Sequence, residues 1–264
     1  MTSRTIKAYA HRGYSPTGAE NTLAAFRAAV ERGFTHVETD VRTSADGVLM
    51  VFHDEHVDRL TRGFGRVSEL TAEQLSRLRV AEQEPIATFE QLLTAFPGLH
   101  INVDLKDDAA VPVMAELLTR HAASDRVVVA SFSDLRRHRF TKHLAERAMP
   151  PVRVTGGAKI IAAFTLLGLI SRGRFQPWRL LLPILRNLVA LQVPVRQGPL
   201  PVVTGDFVAR AHEAGLEVHV WVVDDADTMR ELLDLGVDAI MTDEAETLVE
   251  VYTERGIWPP TPTR

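Results

Sequence analysis

The sequence predicts a parallel (β/α)₈ barrel of the TIM type, and three observations predict it. The chain has 264 residues, a length that suits one large α/β barrel of roughly 250 residues as well as two small domains. Short β-rich runs alternate with amphipathic helical stretches along most of it. Polar clusters recur at the C-terminal ends of those runs, the end at which such barrels build their sites. A doubly wound open sheet competes, but it usually carries a Gly-rich phosphate loop after its first strand. Here the first strand runs into Ala10-His-Arg-Gly13.

Taken in order, the expected strands are Lys7–Ala10, His36–Asp40, His100–Asp104, Arg126–Ala130, Val152–Val154, Val189–Val193, Glu217–Val222 and Ala239–Met241. Between them lie helical patterns at Thr22–Arg32, Val111–His121, Asp206–Ala214 and Ala226–Leu235; Gly33 and Gly215 read as helix stops, each followed by a strand. A ninth run, Val48–Phe52, follows Asp46-Gly47, a two-residue hairpin signal. Pairing about that turn sets 45 opposite 48, 43 opposite 50 and 40 opposite 53, which folds His53 back beside Asp40. No Gly/Ser/Pro linker divides the chain, so residues 1–258 read as one domain, followed by an irregular tail at 259–264.

Composition narrows the chemistry. With 45% hydrophobic and 24% charged residues the chain is of ordinary globular type, and a net charge of −4 lacks the basic field of a nucleic-acid binder. There is no cysteine, which excludes disulfides, a thiol nucleophile and any thiolate metal site. Any metal must be held by oxygen or imidazole. Lysine occurs only at 7, 106, 142 and 159. No apolar run precedes the first motif and the longest, Ile160–Ile170, is too short to span a bilayer. The expected location is cytoplasmic.

Four clusters carry the candidate chemistry: His11-Arg12-Gly13; Glu38-Thr39-Asp40 with His53-Asp54 beside it; Asp104-Leu105-Lys106; and Trp221–Asp224 with Thr242-Asp243. Glu38 and Asp40 alternate along a strand, so both carboxylates point the same way. Like charges that close repel unless a cation lies between them. Asp104 supplies a third oxygen ligand, and three carboxylates without sulfur favour one hard divalent cation, Mg²⁺ or Ca²⁺. Pairing with arginine across the barrel mouth is the competing explanation for any one of them. His11 and His53 suit a general acid–base pair, with zinc ligation as the alternative. Arg12 and Lys106 would put positive charge on a phosphate, and Trp221 is a further substrate contact. Asn21-Thr22, just before an apolar-periodic helix, reads equally as an N-cap. The remaining histidines read as structural.

These residues, in this order, resemble the glycerophosphodiester phosphodiesterase family. The match runs through Ala10-His-Arg-Gly13, Glu20-Asn-Thr22, Val37-Glu-Thr-Asp-Val41, Asp46-Gly47 to Val51-Phe-His-Asp54, and Asp58-Arg59 with Thr61. It continues in Ile101-Asn-Val-Asp-Leu-Lys106, Ser131-Phe132, Val220-Trp-Val-Val-Asp224 and Gly236–Asp243. The resemblance spans residues 8 to about 247 with a weak middle. It implies a TIM-type barrel with a small insertion at about 55–90, after the hairpin. It implies metal-dependent cleavage of a glycerophosphodiester to glycerol phosphate and an alcohol. By position, Glu38, Asp40 and residue 104 would hold the metal, His11 and His53 would be the acid–base pair, and Arg12 and Lys106 would hold the phosphate. In the family's usual scheme a glycerol hydroxyl attacks phosphorus, and water then opens the cyclic phosphate.

Three positions, Asp104, Val222 and Asp224, depart from the family pattern. Asp104 stands where Glu is usual, and the Asp-x-Lys pair is similar to spider-venom phospholipases D, which stop at the cyclic product. Trp221-Val-Val-Asp224 replaces Trp-Thr-x-Asn, and its apolar residue favours a greasier substrate such as a lysophospholipid. The apolar segment 158–191 reads as barrel helices or, alternatively, as a peripheral membrane contact through 160–191, with Arg172, Arg174, Trp178 and Arg179 flanking apolar surface. Two other functions compete with hydrolysis: a phospholipase D-like lyase releasing a cyclic phosphate, and a non-catalytic phosphodiester- or lipid-binding barrel. The oligomeric state is not legible in the sequence.

Overall fold

Alternation along the strands decides the architecture. In β1 (Lys7–His11), β2 (His36–Thr43) and β3 (His100–Leu105), one set of alternate side chains is aliphatic: Ala8, Ala10, Val37, Val41, Ile101, Val103 and Leu105 all lie in the main buried cluster. The other set is largely polar and points into the barrel. The computed structural model describes residues 6–171 and 175–259.

Five further strands complete the sheet: β4 (Val127–Ala130), β5 (Arg153–Val154), β6 (Ala190–Val193), β7 (Glu217–Val220) and β8 (Ala239–Thr242). Their order is β5-β4-β3-β2-β1-β8-β7-β6, all parallel. A parallel bridge from Thr155 to Ala190 joins the two ends and closes the barrel. The eight strands expected from the alternation are the eight of the barrel. Helices α1 (Leu23–Glu31), α2 (Phe89–Ala95), α3 (Ala110–Arg120), α4 (Asp134–Glu146), α5 (Ala158–Leu169), α6 (Gly205–Glu213), α7 (Ala226–Leu235) and α8 (Ala245–Glu254) follow the strands in turn. Serine, threonine or aspartate side chains cap six of them: Thr22, Thr88, Ser133, Thr204 and Asp225 accept from the first turn, and Asp134 accepts from Gly157 and Lys159 at the start of α5.

Parallel pairing in this register stacks the inward side chains in layers. His36 lies opposite His100, Glu38 opposite Asn102, and Asp40 opposite Asp104. At the N-terminal end of the barrel the His36 and His100 rings stack at 4.7 Å, with Tyr9 edge-on to His36. Burial first, and then the charges of neighbouring groups, push His36 down to about 3, so it is a neutral packing group. Lys7 pairs with Glu217 there at 2.6 Å. This end is structural, and the acidic end lies at the opposite mouth.

The hairpin after β2 differs by one residue from the two-residue turn read in the sequence. Thr43 pairs with Leu49, Arg42 with Met50 and Val41 with Val51. The loop is three residues, Ala45-Asp46-Gly47, with Gly47 in the left-handed region at φ +81°. Ser44 stabilises it, donating to Asp46 Oδ1 at 2.6 Å and accepting from the Val48 N–H at 2.9 Å. The strand ends at Val51, the Phe52 N–H still donates to the Asp40 carbonyl at 3.0 Å, and His53 lines the cavity just beyond. Met50 of the hairpin packs with Phe52, Val57, Val67, Leu75, Val80 and Ile86 in a second buried cluster, apart from the barrel core.

The apolar segment divides. Phe164, Trp178, Leu185, Leu188 and Leu191 are core, while Leu166, Leu169, Ile170, Phe175, Leu180 and Ile184 are exposed. Trp178 is fully buried and edge-on to Phe164, so it is not a headgroup anchor. Arg179 is ion-paired to Glu213. Arg172, Arg174 and tail residues 260–264 lie outside the described residues. Among the described residues no helix is long and apolar enough to cross a membrane.

Candidate active site

The β1–α1 turn begins the site. Arg12 and Asn21 both have φ +57°, an uncommon conformation for residues other than glycine, and Gly13 between them has φ +83°. A Cβ on Gly13 would stand 2.7 Å from the Ala25 backbone, so only glycine lets this loop lie on α1. The turn throws Arg12 across the barrel mouth, where its Nε is 3.2 Å from Asp40 Oδ2 and its Nη1 is 2.7 Å from Glu20 Oε1. The Asn21-Thr22 pair splits its work. Thr22 caps α1, whereas Asn21 donates from Nδ2 to Asp40 Oδ2 at 3.0 Å and accepts from Thr39 Oγ1 at 2.7 Å.

One cavity of about 500 Å³ is lined by His11, Arg12, Glu38, Asp40, His53, Asp104, Lys106 and Trp221, so the fold brings these eight candidates to one place, whereas Asp54, Asp224, Thr242 and Asp243 of the same clusters stand outside its lining. The Lys106 ammonium bridges Asp40 Oδ1 at 2.8 Å and Asp104 Oδ2 at 2.7 Å. The arginine pairing that competed with metal ligation thus holds for Asp40 alone, through Arg12, while Asp104 is paired by Lys106 instead. Among the described residues Glu38 has no lysine or arginine partner. Its nearest cationic neighbour is His11 Nε2 at 3.6 Å.

Electrostatics register the imbalance. Burial, and then the neighbouring Asp40 charge, push Glu38 up to about 8. Burial likewise raises Asp104 to about 6, with Lys106 opposing. Burial also acts on Asp40, but Lys106 and Arg12 outweigh it and hold it below the usual carboxylate range. Among the described residues Glu38 Oε2 and Asp104 Oδ1 find no hydrogen-bond partner although both are buried, and orphaned anionic oxygens are costly. Among the described residues no three acidic or histidine side chains form a ready-made cage. In donor type and in charge deficit, however, Glu38, Asp40 and Asp104 fit a hard divalent cation.

Each histidine is held by an aspartate. His11 Nδ1 donates to Asp243 Oδ1 at 2.7 Å, and His53 Nδ1 to Asp54 Oδ1 at 2.6 Å. Burial pulls His11 down, but Glu38 and Asp243 together carry it above 6.5. For His53 burial prevails over Asp40 and Asp54, and its pKa falls below 6.5. Behind Asp54 stands Arg59, donating from Nε to Oδ2 at 2.5 Å and from Nη2 to Glu20 at 2.8 Å. Chiefly through this hydrogen bond, Asp54 is lowered to about 2. Asp224, read in the sequence as part of the Trp221 cluster, instead ties down the loop after β8. It accepts from Thr242 Oγ1 at 2.9 Å and from the Asp243 N–H at 2.8 Å. The positioning roles of Asp243, Asp54, Arg59 and Glu20 are what the sequence reading lacked. Asp243 is 232 residues from the histidine it holds, and only its place at a strand end marked it.

Comparison with known proteins covers nearly the whole chain. Residues 11–247 match the family model described as "Glycerophosphoryl diester phosphodiesterase family". The chain is 35% identical over 252 residues to the protein of Mycobacterium tuberculosis named "Probable glycerophosphodiester phosphodiesterase 2", covering 95% of this chain and 92% of that one. It is 29% identical to a glycerophosphodiester phosphodiesterase of Caldanaerobacter subterraneus, over 94% of this chain and 98% of the relative. An Oleispira antarctica phosphodiesterase, solved with the product sn-glycerol-3-phosphate, superposes with a TM-score of 0.75 at 22% identity, over 94% of this chain and 97% of that one. That last likeness speaks for the fold.

Removing the Asp243 carboxylate tests the positioning of His11. Asp243→Asn should lower kcat about tenfold or more with KM within about twofold. The same change takes away an interaction that raises His11, so the His11 imidazole, followed by NMR, should titrate at lower pH. An unchanged kcat with an unchanged titration would show that Asp243 has no part in holding the ring.

Proposed function

The chain belongs to the glycerophosphoryl diester phosphodiesterase family and is an enzyme of that class; from that premise we propose that it cleaves glycerophosphodiesters, lysophospholipids among them, through the His11–His53 pair, with the substrate's own glycerol hydroxyl as nucleophile. The observation that carries the reading is the pair of aspartate-held imidazoles facing one cavity with two cationic side chains and three carboxylates.

An intramolecular hydroxyl needs orientation and a base rather than an activated water. One imidazole takes the hydroxyl proton as its oxygen bonds to phosphorus. The bond from phosphorus to the alcohol breaks, and the other imidazole protonates the departing oxygen. The roles then reverse as water opens the cyclic phosphate. Asp243 and Asp54 keep each Nδ1 occupied, which leaves Nε2 of each ring for proton transfer. Arg12 and Lys106 supply positive charge to the phosphoryl oxygens, and Trp221 bounds the substrate side. Glu38, Asp40 and Asp104 would hold the divalent cation, Mg²⁺ or Ca²⁺, which when bound stabilises negative charge on those oxygens.

Contact with a membrane surface is a second proposal, supported by the exposed Leu166, Leu169 and Ile170 on and just after α5. Leu167 packs against the core and belongs to the fold instead.

Phosphorus NMR of the reaction on a glycerophosphodiester panel, with divalent cation supplied, should show linear glycerol phosphate. His11→Ala and His53→Ala should each cut turnover by about 10²- to 10⁴-fold. Unchanged turnover in both would remove the catalytic assignment, and a cyclic phosphate that persists would place the chain with the lyases. For the membrane surface, wild type should float with anionic liposomes and a Leu166→Asp, Leu169→Asp double variant should not. If neither floats, the membrane reading falls.

A further inference from the structure

The cavity is larger than its chemistry requires, and its two ends differ in kind. Every charged residue lining it belongs to the catalytic end. The other end is a wing between α5 and the loop around residues 197–202. Ala158, Ile161, Ala162, Thr165 and Leu166 line it at helical spacing, one face of α5. Gln197, Leu200 and Val202 line it from that loop. Thr165 donates its hydroxyl to the Ile161 carbonyl at 2.9 Å, within its own helix. Phe132 and Trp221, edge to face at 5.5 Å, stand where the two ends meet. The Lys106 ammonium lies 5.6 Å from the Phe132 ring centroid, so this aromatic pair already faces a cation and is a poor cage for a second one.

We infer that the wing binds a single alkyl or acyl chain carried on the substrate's glycerol, which makes single-chain lipid phosphodiesters the preferred substrate class. The inference rests on the phosphodiesterase reading above. A volume of about 500 Å³ falls in the range of sites that enclose drug-sized ligands. Walls that are mostly aliphatic, with Thr165 and Gln197 as their polar side chains and no charged residue, favour hydrocarbon. The wing also leads outward: Leu166 lines it and is 58% exposed, and Leu169 and Ile170 continue the apolar surface beyond. A chain longer than the wing therefore has an apolar exit. The chemistry fixes the number of chains. A glycerol phosphodiester with one chain keeps a free hydroxyl next to the phosphate, and one with two chains has lost its nucleophile. The products are then a monoacyl- or monoalkylglycerol phosphate and the headgroup alcohol.

The test compares one headgroup on a chainless glycerophosphodiester and on monoacyl analogues of increasing length, all kept below micelle formation, with a diacyl control. For the cation-supplied wild type, kcat/KM should rise by up to about fourfold per added methylene, the factor that burying a methylene carries, and level off once the chain passes Leu166. The diacyl compound should not turn over. Ala162→Trp, at an exposed position on the wing face, should flatten the length dependence while leaving the chainless diester within about twofold of wild type. Leu166→Ser should shorten the length at which the rise stops. Turnover of the chainless diester with no gain from the chain overturns the inference and leaves the phosphodiesterase reading standing. No turnover of any member of the series overturns both. A loss in Ala162→Trp that is equal for chainless and long-chain substrates also overturns the inference.

Discussion

Three carboxylates buried at the mouth of a barrel need positive charge, and the rest of the site is arranged around that need. Strand periodicity puts Glu38 and Asp40 on the inner face of β2, and the parallel register puts Asp104 directly opposite Asp40. Without neutralisation such a group protonates rather than remains ionised. Lys106 and Arg12 keep Asp40 anionic, and Asn21 fixes its orientation. Glu38 and Asp104 are left with orphaned oxygens and raised pKa values. The barrel tolerates a polar interior because its stability comes from elsewhere, in the aliphatic layer between strands and helices.

Around this deficit stands a frame of fixed hydrogen bonds. Asp224 holds the loop that carries Asp243, and Asp243 holds His11. Arg59 holds Asp54, and Asp54 holds His53. Glu20 ties the two halves together by accepting from both Arg12 and Arg59. Two residues at φ +57°, Arg12 and Asn21, supply donors that a relaxed turn would aim elsewhere. Imidazoles held in this way need little reorganisation when a proton moves.

Much of this was legible in the sequence, because periodicity and strand ends are local signals. Alternation named the eight strands, and the clusters at their C-terminal ends named every residue of the charged end of the cavity. Features set by distant packing were not legible. Asp243 reaches His11 only when β1 and β8 pair. The hairpin slipped by one residue because Ser44 and Asp46 favour a three-residue loop over the two-residue turn that Asp-Gly suggested. Trp178 read as an interfacial anchor, yet it is fully buried and packs on Phe164 in the core. The apolar wing was invisible for a similar reason. A stripe of small and aliphatic residues on α5 looks the same in sequence whether it faces a sheet or a ligand.

The site works as described only if the carboxylate cluster is short of a cation. Calorimetric titration of metal-stripped protein with Mg²⁺ and with Ca²⁺ measures this directly. One equivalent should bind, with affinity reduced about tenfold or more in Glu38→Gln and in Asp104→Asn; no binding of either ion, or binding that both variants leave unchanged, would show that the cluster holds no cation.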